Sequence, residues 1–141
     1  MICDHWDIAL VPFPFMEFPA AKKRPALVIS AREFNSKNHH SIFAMITTAK
    51  SSTWPSDYLL LAPQESGLKK NCYVRWKTFT LPNEMIVRCL GKLSEQDKDQ
   101  LLTAAQKIFI PAWLCLNADL PTPASSRNKA ALTARRDRSL P

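Results

Sequence analysis

Glycine is scarce in this chain: 2 of its 141 residues are glycine, whereas 11 are proline. Because glycine adopts positive φ angles most easily, few turns can depend on that conformation, and proline stiffens the loops instead. The glycine-rich loop that cradles nucleotide phosphates is absent, as are an HExxH motif and a cluster of carboxylates.

Patterns of membrane, secreted and metal-binding proteins are missing too. No run approaches the roughly 20 apolar residues of a transmembrane helix, and the N-terminus lacks the basic and apolar regions of a signal peptide. We therefore expect a cytoplasmic protein without a membrane partner. The four cysteines are widely spaced and include no CxxC pair, so we expect neither a zinc site nor a disulfide framework. They are Cys3, Cys72, Cys89 and Cys115.

Negative charge is in short supply, with 12 acidic residues against 19 lysines and arginines, a net charge of +7. Of this, +3 falls in residues 117–141, which are rich in Pro, Ala, Ser and Arg, and +4 in residues 1–116. A basic balance favours an anionic partner, although it can also serve solubility alone. We expect 1–116 to be the folded domain and 117–141 a disordered basic tail.

Apolar runs separated by polar clusters predict a mainly β fold. The expected strands are 8–13, 26–29, 42–48, 58–61, 73–77 and 85–90. Ser30 and Glu33 have the spacing of a capping box for one short helical turn. Ser94 is the expected N-cap of a helix that Pro111 ends, with an apolar stripe for core packing. That stripe is Leu101, Leu102, Ala105, Ile108 and Phe109. The sum is a small antiparallel β-barrel with a C-terminal helix.

Arg24 follows Lys23 and precedes Pro25 and the apolar run 26–29. Pro25 biases Arg24 toward an extended backbone, and the run after it would anchor the arginine to a sheet. A guanidinium held in this way suits a phosphate, because it stays charged and presents a planar fork of donors. The alternative is an ordinary surface arginine in a basic loop.

Thr47 and Thr48 end an apolar run, where a hydroxyl can donate to a phosphate oxygen, although threonine is also a good strand former. Further along, alternation puts Tyr73, Arg75 and Lys77 on one strand face. An aromatic ring and two cations could stack a base and hold its phosphates, or could form a plain solvated face.

These segments together resemble the MazF/PemK family of toxins from type II toxin–antitoxin systems. The matching segments, in order, are 7–15, 24–30, 34–35, 44–48, 74–75 and 91–94. The resemblance implies an SH3-like barrel of the CcdB/MazF type that forms a homodimer. It also implies a metal-independent endoribonuclease without a cofactor, which cleaves single-stranded RNA to a 2′,3′-cyclic phosphate and is inhibited by a cognate antitoxin.

By the same resemblance, Arg24 and Thr47 are the expected catalytic residues at the scissile phosphate. The expected RNA-binding residues are Lys23, Thr48, Tyr73, Arg75 and Lys77. Some family members carry an acidic residue, proposed as a general base, where this chain has Lys77. That departure argues against a carboxylate base there and leaves Glu17, His39 or His40 as the possible base.

A non-enzymatic toxin of the same fold is the alternative, since related toxins inhibit DNA gyrase by protein contact. The apolar segment 110–114 could supply such a contact surface. A protein that acts in this way does not need the pair of Arg24 and Thr47, so RNA cleavage separates the two hypotheses.

Overall fold

The computed structural model describes residues 1–14, 22–48, 50 and 54–111. The chain divides into two compact units, Met1–Ala104 and Ala105–Pro141. All the described strands belong to the first unit, and the described part of the second is residues 105–111. The predicted disordered tail, 117–141, lies outside the described residues and stays a prediction. The contact surface predicted at 110–114 also stays a prediction, because residues 112–114 lie outside the described residues.

The described chain contains six strands and two α-helices, with one 3₁₀ turn at Asn83–Met85. In chain order they are β1 Asp7–Pro12, β2 Lys23–Val28, α1 Arg32–Asn38, β3 His40–Thr48, β4 Tyr58–Leu59, β5 Cys72–Pro82, β6 Arg88–Lys92 and α2 Glu95–Phe109. Among the described residues, no helix is long and apolar enough to cross a membrane.

The strands form one antiparallel sheet in the order β4-β5-β3-β2-β1-β6. The predicted barrel-like antiparallel fold with a C-terminal helix is therefore confirmed. Its register places Val11 opposite Arg24, Ala26 opposite Met45, and Thr47 opposite Tyr73. Directly opposed residues share a face of the sheet, so this register decides which side chains of neighbouring strands can act together.

Aromatic rings fill the core on one face of the sheet. Phe43 is fully buried and stacks on Phe79 with ring centroids 5.5 Å apart, and Phe13 meets Phe79 edge-on at 5.8 Å. Ala26 and Val28 of β2 pack into the same cluster. Since Phe13 immediately follows β1, the aromatic core reaches the end of the sheet at which Arg24 lies.

The chain's only two glycines meet where the curled sheet approaches closure. A Cβ on Gly67 would lie 2.3 Å from the carbonyl oxygen of Leu90, and one on Gly91 would lie 2.8 Å from Ser66. Gly67 also has a φ of +75°. The segment after edge strand β4 can therefore lie against β6, at the opposite edge, only because both positions lack a side chain.

The buried carboxylate of Asp97 joins the start of α2 to the same region. It accepts hydrogen bonds from the Tyr58 hydroxyl (2.8 Å), from the backbone N–H groups of Leu61 (2.9 Å) and Ala62 (3.2 Å), and from the Ser94 hydroxyl (2.8 Å). Ser94 in turn accepts from the Asp97 N–H at 3.2 Å, which makes it the N-cap, as predicted. Burial acts to raise the pKa of Asp97, but these hydrogen bonds lower it by more, and its net shift is downward.

Several local predictions need correction. Ser30 does not cap α1, whose N-cap is Ala31. The Ser30 hydroxyl instead donates a hydrogen bond to the buried side chain of Asn35 and accepts one from the N–H of Ile42. β5 runs five residues beyond the predicted end, to Pro82, because β3 offers it partners along that length.

The apolar stripe of α2 is also corrected. Leu101 is fully buried, as expected, but Leu102, Ile108 and Phe109 are 48%, 43% and 56% exposed. Helical periodicity identified the apolar residues, but it could not tell a face packed into the core from one left at the surface.

We predict that Asp97→Asn lowers the free energy of unfolding by about 3 kcal/mol, because an amide group would face N–H and O–H donors in a buried site. Urea unfolding measures the change. Asp99→Asn, on the exposed side of the same helix, should cost less than about 0.5 kcal/mol.

The same substitution should change the acid limb of stability. Because folding lowers the pKa of Asp97 below its ordinary value of 3.8, its contribution is present above that pH and is lost as the pH falls below it. Asp97→Asn should therefore show a shallower loss of stability below pH 4 than the wild type. Equal slopes would contradict a charged Asp97 in the folded protein.

Candidate active site

Arg24, Thr47 and Tyr73 come together at one end of the sheet. Arg24 lies two residues beyond the last β2–β3 pair on β2, and Thr47 lies two residues beyond it on β3. Tyr73 is directly opposite Thr47 on β5. Because side chains alternate along a strand, all three lie on the face of the sheet that carries Ala26. β2, β3 and β5 thus place a guanidinium and two hydroxyls side by side in one row of Arg24, Thr47 and Tyr73.

Phe13 supports the guanidinium of Arg24. The Cζ atom of Arg24 lies 5.7 Å from the centroid of the Phe13 ring, a cation–π contact. Arg24 is half-buried, and Phe13 is 6% exposed. An arginine held over a buried ring is partly desolvated and oriented before any ligand arrives, which strengthens its attraction for an anion.

Arg75 lies on the same face, opposite Met45, but its guanidinium is already engaged. Its Nε and Nη2 atoms donate to the two carboxylate oxygens of Asp57 at 3.0 Å and 2.7 Å. The side chains are 12% and 1% exposed, and Arg75 also lies over the Trp54 ring, 5.4 Å from Cζ to centroid. The hydrogen bonds with Asp57 raise the pKa of Arg75. Arg75, one of the two arginines predicted for this site, thus forms a neutral and rigid pair with Asp57.

The other predicted RNA-binding residues lie nearby in different orientations. Lys23 is exposed opposite Pro12, and Thr48 is exposed opposite Cys72. Each neighbours a residue of the row in sequence and so faces the other side of its strand. Lys77 is half-buried in the irregular part of β5, where two extra residues fall opposite the step from Ala44 to Met45.

The predicted bases are not all near this row. His39 precedes β3 and His40 begins it, seven residues from Thr47 or about 23 Å along an extended strand. There they line an open pocket together with Asn83 and Glu84. The structure therefore does not bring these histidines together with Arg24. Glu17 lies outside the described residues.

Asp57 and Trp54 are the site residues that sequence reasoning missed. They lie in a turn, where the Asp57 N–H donates to the Trp54 carbonyl at 3.0 Å, just before β4. The sequence around Trp54 and Asp57 indicated only a turn that contains a proline, and it gave no sign of a functional role. The pairing of Asp57 with Arg75, 18 residues away, becomes visible once β4 is aligned on β5.

Comparison with known families bears on this arrangement. Residues 4–109 match the model of the PemK-like, MazF-like toxin of type II toxin–antitoxin systems. The chain belongs to this family. The match covers every described strand and both helices, including the row of Arg24, Thr47 and Tyr73. No curated protein sequence matches the chain.

Solved structures show the same fold at low identity. An endoribonuclease in complex with its cognate antitoxin, from a mycobacterial species, is 17% identical with a TM-score of 0.59 and covers 78% of this chain and 96% of its own. The Mycobacterium tuberculosis toxin MazF-mt6 is 20% identical, with a TM-score of 0.59 and coverages of 73% and 95%. A MazE–MazF structure from Deinococcus radiodurans is 13% identical, with a TM-score of 0.61 and coverages of 79% and 99%.

We predict that Asp57 and Arg75 are strongly coupled. Asp57→Ala and Arg75→Ala should each cost about 3 kcal/mol of stability, because each leaves the other charge buried. The double variant should cost less than the sum, with a coupling above about 1 kcal/mol in urea unfolding.

The exposed pair of Glu33 and Lys37 on α1, 78% and 72% exposed, is the matched control. Its coupling should be about 0.3 to 0.5 kcal/mol. A coupling between Asp57 and Arg75 no larger than that would mean that Asp57 does not hold the Arg75 guanidinium in a fixed position.

Proposed function

We propose that this toxin is an endoribonuclease that cleaves single-stranded RNA, mRNA above all, by attack of the RNA's own 2′-OH. The observation that carries the proposal is the row of Arg24, Thr47 and Tyr73 on one face at the end of three strands. Family membership and the naming of two mycobacterial structures as endoribonucleases support it.

In the proposed reaction the 2′-OH gives its proton to the general base and its oxygen bonds to phosphorus, while the bond to the 5′-oxygen breaks and that oxygen takes a proton from solvent. The products are a 2′,3′-cyclic phosphate and a 5′-hydroxyl. Arg24 stabilises the extra negative charge on the pentacovalent phosphate, and its position over Phe13 means that little reorganisation is needed. The Thr47 hydroxyl donates to a non-bridging oxygen. Neither role requires a metal ion or a cofactor.

Binding of the RNA strand uses the residues around this row. Tyr73 offers a ring on which a base can stack. Lys23, Thr48 and Lys77 contact the sugar–phosphate backbone, and the salt dependence of binding should reflect the lysines. Arg75, held by Asp57 and Trp54, acts as a wall that positions the strand rather than as an uncommitted phosphate ligand.

Glu17 is the general base in this proposal. Glu17 lies between Phe13 and Lys22 in the sequence, and the Phe13 N–H donates to the carbonyl of Lys22, two residues before Arg24, at 3.3 Å. His39 precedes β3 and His40 begins it, at the end of the strand far from Thr47. Asp57 is unsuited to the role because its carboxylate is 1% exposed and bound to Arg75.

A cognate antitoxin and a second copy of the chain are the proposed protein partners. The antitoxin would block cleavage by covering the RNA-binding face. Antitoxin complexes of the structural relatives support the first partner. The exposed apolar side chains of α2 are compatible with the second.

The test is cleavage of single-stranded RNA by the purified protein in excess EDTA. We expect cleavage to persist and the upstream product to end in a cyclic or opened phosphate. A matched substrate with deoxyribose only at the cut position should resist, because the nucleophile is gone.

Cleavage of the deoxyribose substrate, or a requirement for added magnesium, would overturn the 2′-OH mechanism. If purified protein cleaves no RNA but still binds a protein target and arrests growth, the non-enzymatic alternative replaces the proposal.

A further inference from the structure

Two cysteines that are 86 positions apart in the sequence converge with a carboxylate in the fold. The Sγ atoms of Cys3 and Cys89 and a carboxylate oxygen of Asp7 all lie within 4.8 Å of one another. This cluster, Cys3/Asp7/Cys89, is at the start of β1. It is four residues along β1, about 13 Å, from Val11, the partner of Arg24. It is therefore separate from the candidate active site.

Each of the three donors is held by a different backbone arrangement. The carbonyl of Cys3 accepts from the side-chain amide of Asn35 at 3.0 Å, and Cys3 is 2% exposed. Asp7 begins β1 and accepts from the Asp4 N–H at 2.8 Å. A bulge in β6 sets Cys89 opposite Ala9, and bulges commonly re-aim a side chain at a site. The donors are thus positioned without any ligand.

A carboxylate oxygen of Asp7 without a hydrogen-bond partner indicates that the cluster can bind a cation. Oδ1 of Asp7 is buried, and the described residues offer it no hydrogen-bond donor. The ammonium of Lys92 lies 3.9 Å from this oxygen, which is beyond hydrogen-bond distance. A buried carboxylate oxygen without a donor carries a free-energy penalty that a bound cation would remove.

We propose that Cys3, Asp7 and Cys89 bind one Zn²⁺-like divalent cation, with the fourth position open to water. Two thiolates and one carboxylate are a ligand set that a borderline-soft, tetrahedral cation prefers, whereas Mg²⁺ and Ca²⁺ prefer oxygen ligands alone. Tetrahedral ligation at zinc–sulfur distances of about 2.3 Å draws the donors to about 3.7 Å apart, a contraction of up to about 1 Å.

Charge balance agrees with this assignment. Binding displaces two thiol protons, and two thiolates, one carboxylate and Zn²⁺ sum to −1, which the ammonium of Lys92 offsets. Cys89 is exposed, so a cation and its water can enter from solvent. The cation would join the N-terminal segment, the start of β1 and the edge strand β6, so binding should stabilise the folded protein.

The test uses the full-length, reduced protein and Co²⁺ as a spectroscopic probe. One equivalent should produce a thiolate-to-cobalt charge-transfer absorption that Zn²⁺ removes. Cys89→Ser and Cys3→Ser should abolish it, and Asp7→Asn should weaken binding about tenfold or more. Cys72→Ser and Cys115→Ser, at the chain's other cysteines, are matched controls and should keep it.

Stability gives a second readout that does not depend on activity. Zn²⁺ at 100 times its Kd should raise the Tm of the wild type and of Cys72→Ser by about 5 to 10 °C and leave Cys89→Ser unchanged. Because Cys89 is exposed, Cys89→Ser should fold even if Cys3→Ser, at a buried position, does not.

Three results would overturn the proposal: no cobalt–thiolate absorption while the thiols are reduced, equal loss of it in Cys72→Ser, or a Cys3–Cys89 disulfide in the protein as isolated. Because EDTA also removes this cation, the RNA assay is run well below the melting transition of the metal-free protein.

Discussion

The register of β2 on β3 and of β3 on β5 is the constraint on which the site depends. Side chains alternate along a strand with a period of two, so a slip by one residue would move Arg24 to the opposite face. Ala26, Val28 and Phe43 are fully buried and bring the β2–β3 pairing into one apolar cluster. Packing of these small and aromatic residues fixes the register and therefore determines on which face of the sheet Arg24 lies.

Two arginines on this face differ because of what surrounds them. Arg24 lies over the Phe13 ring, which orients the guanidinium. Arg75 is paired bidentately with the buried Asp57, and desolvated pairs of this kind favour fixed geometry more than net attraction for a ligand. We propose that Arg24 rather than Arg75 contacts the scissile phosphate, with the lysines around it adding a screened, salt-dependent attraction.

The two edges of the sheet are held together by contacts away from the candidate active site. Gly67 and Gly91 allow the segment after β4 to lie against β6. Asp97 then binds the backbone of that same segment through Leu61 and Ala62. Both glycines of the chain lie at this approach, and the other positive φ angles in the part of the chain that the structure describes are those of Trp6 and His39.

Local signals in the sequence predicted much of this molecule. The apolar runs located the main strands, Ser94 marked the start of α2, and the setting of Arg24 before Pro25 and an apolar run identified a strand-anchored cation. These features depend on residues that are close in the chain. Their physical causes, which are backbone bias, capping and alternation, act over a few residues and can be read without a structure.

Contacts between distant segments could not be read in the same way. Asp57 approaches Arg75 only after β4 pairs with β5, and Asp97 finds its donors only where α2 meets the segment after β4. Cys3 and Cys89 carried no spacing signal, because the bulge in β6 and the turn before β1 bring them together. The exposed end of α2 shows the same limit, since periodicity cannot reveal what a face contacts.

In the proposed function, the geometry of Arg24, Thr47 and Tyr73, rather than general positive charge, drives RNA cleavage. Single-turnover cleavage by Arg24→Ala and Lys23→Ala tests it directly, because the two neighbours carry equal charge on opposite faces of β2. We expect Arg24→Ala to lose about 10²-fold or more in the cleavage rate, which is typical of one lost electrostatic donor, and Lys23→Ala to lose only a few-fold. Equal losses in the two variants, with both folded by circular dichroism, would contradict it.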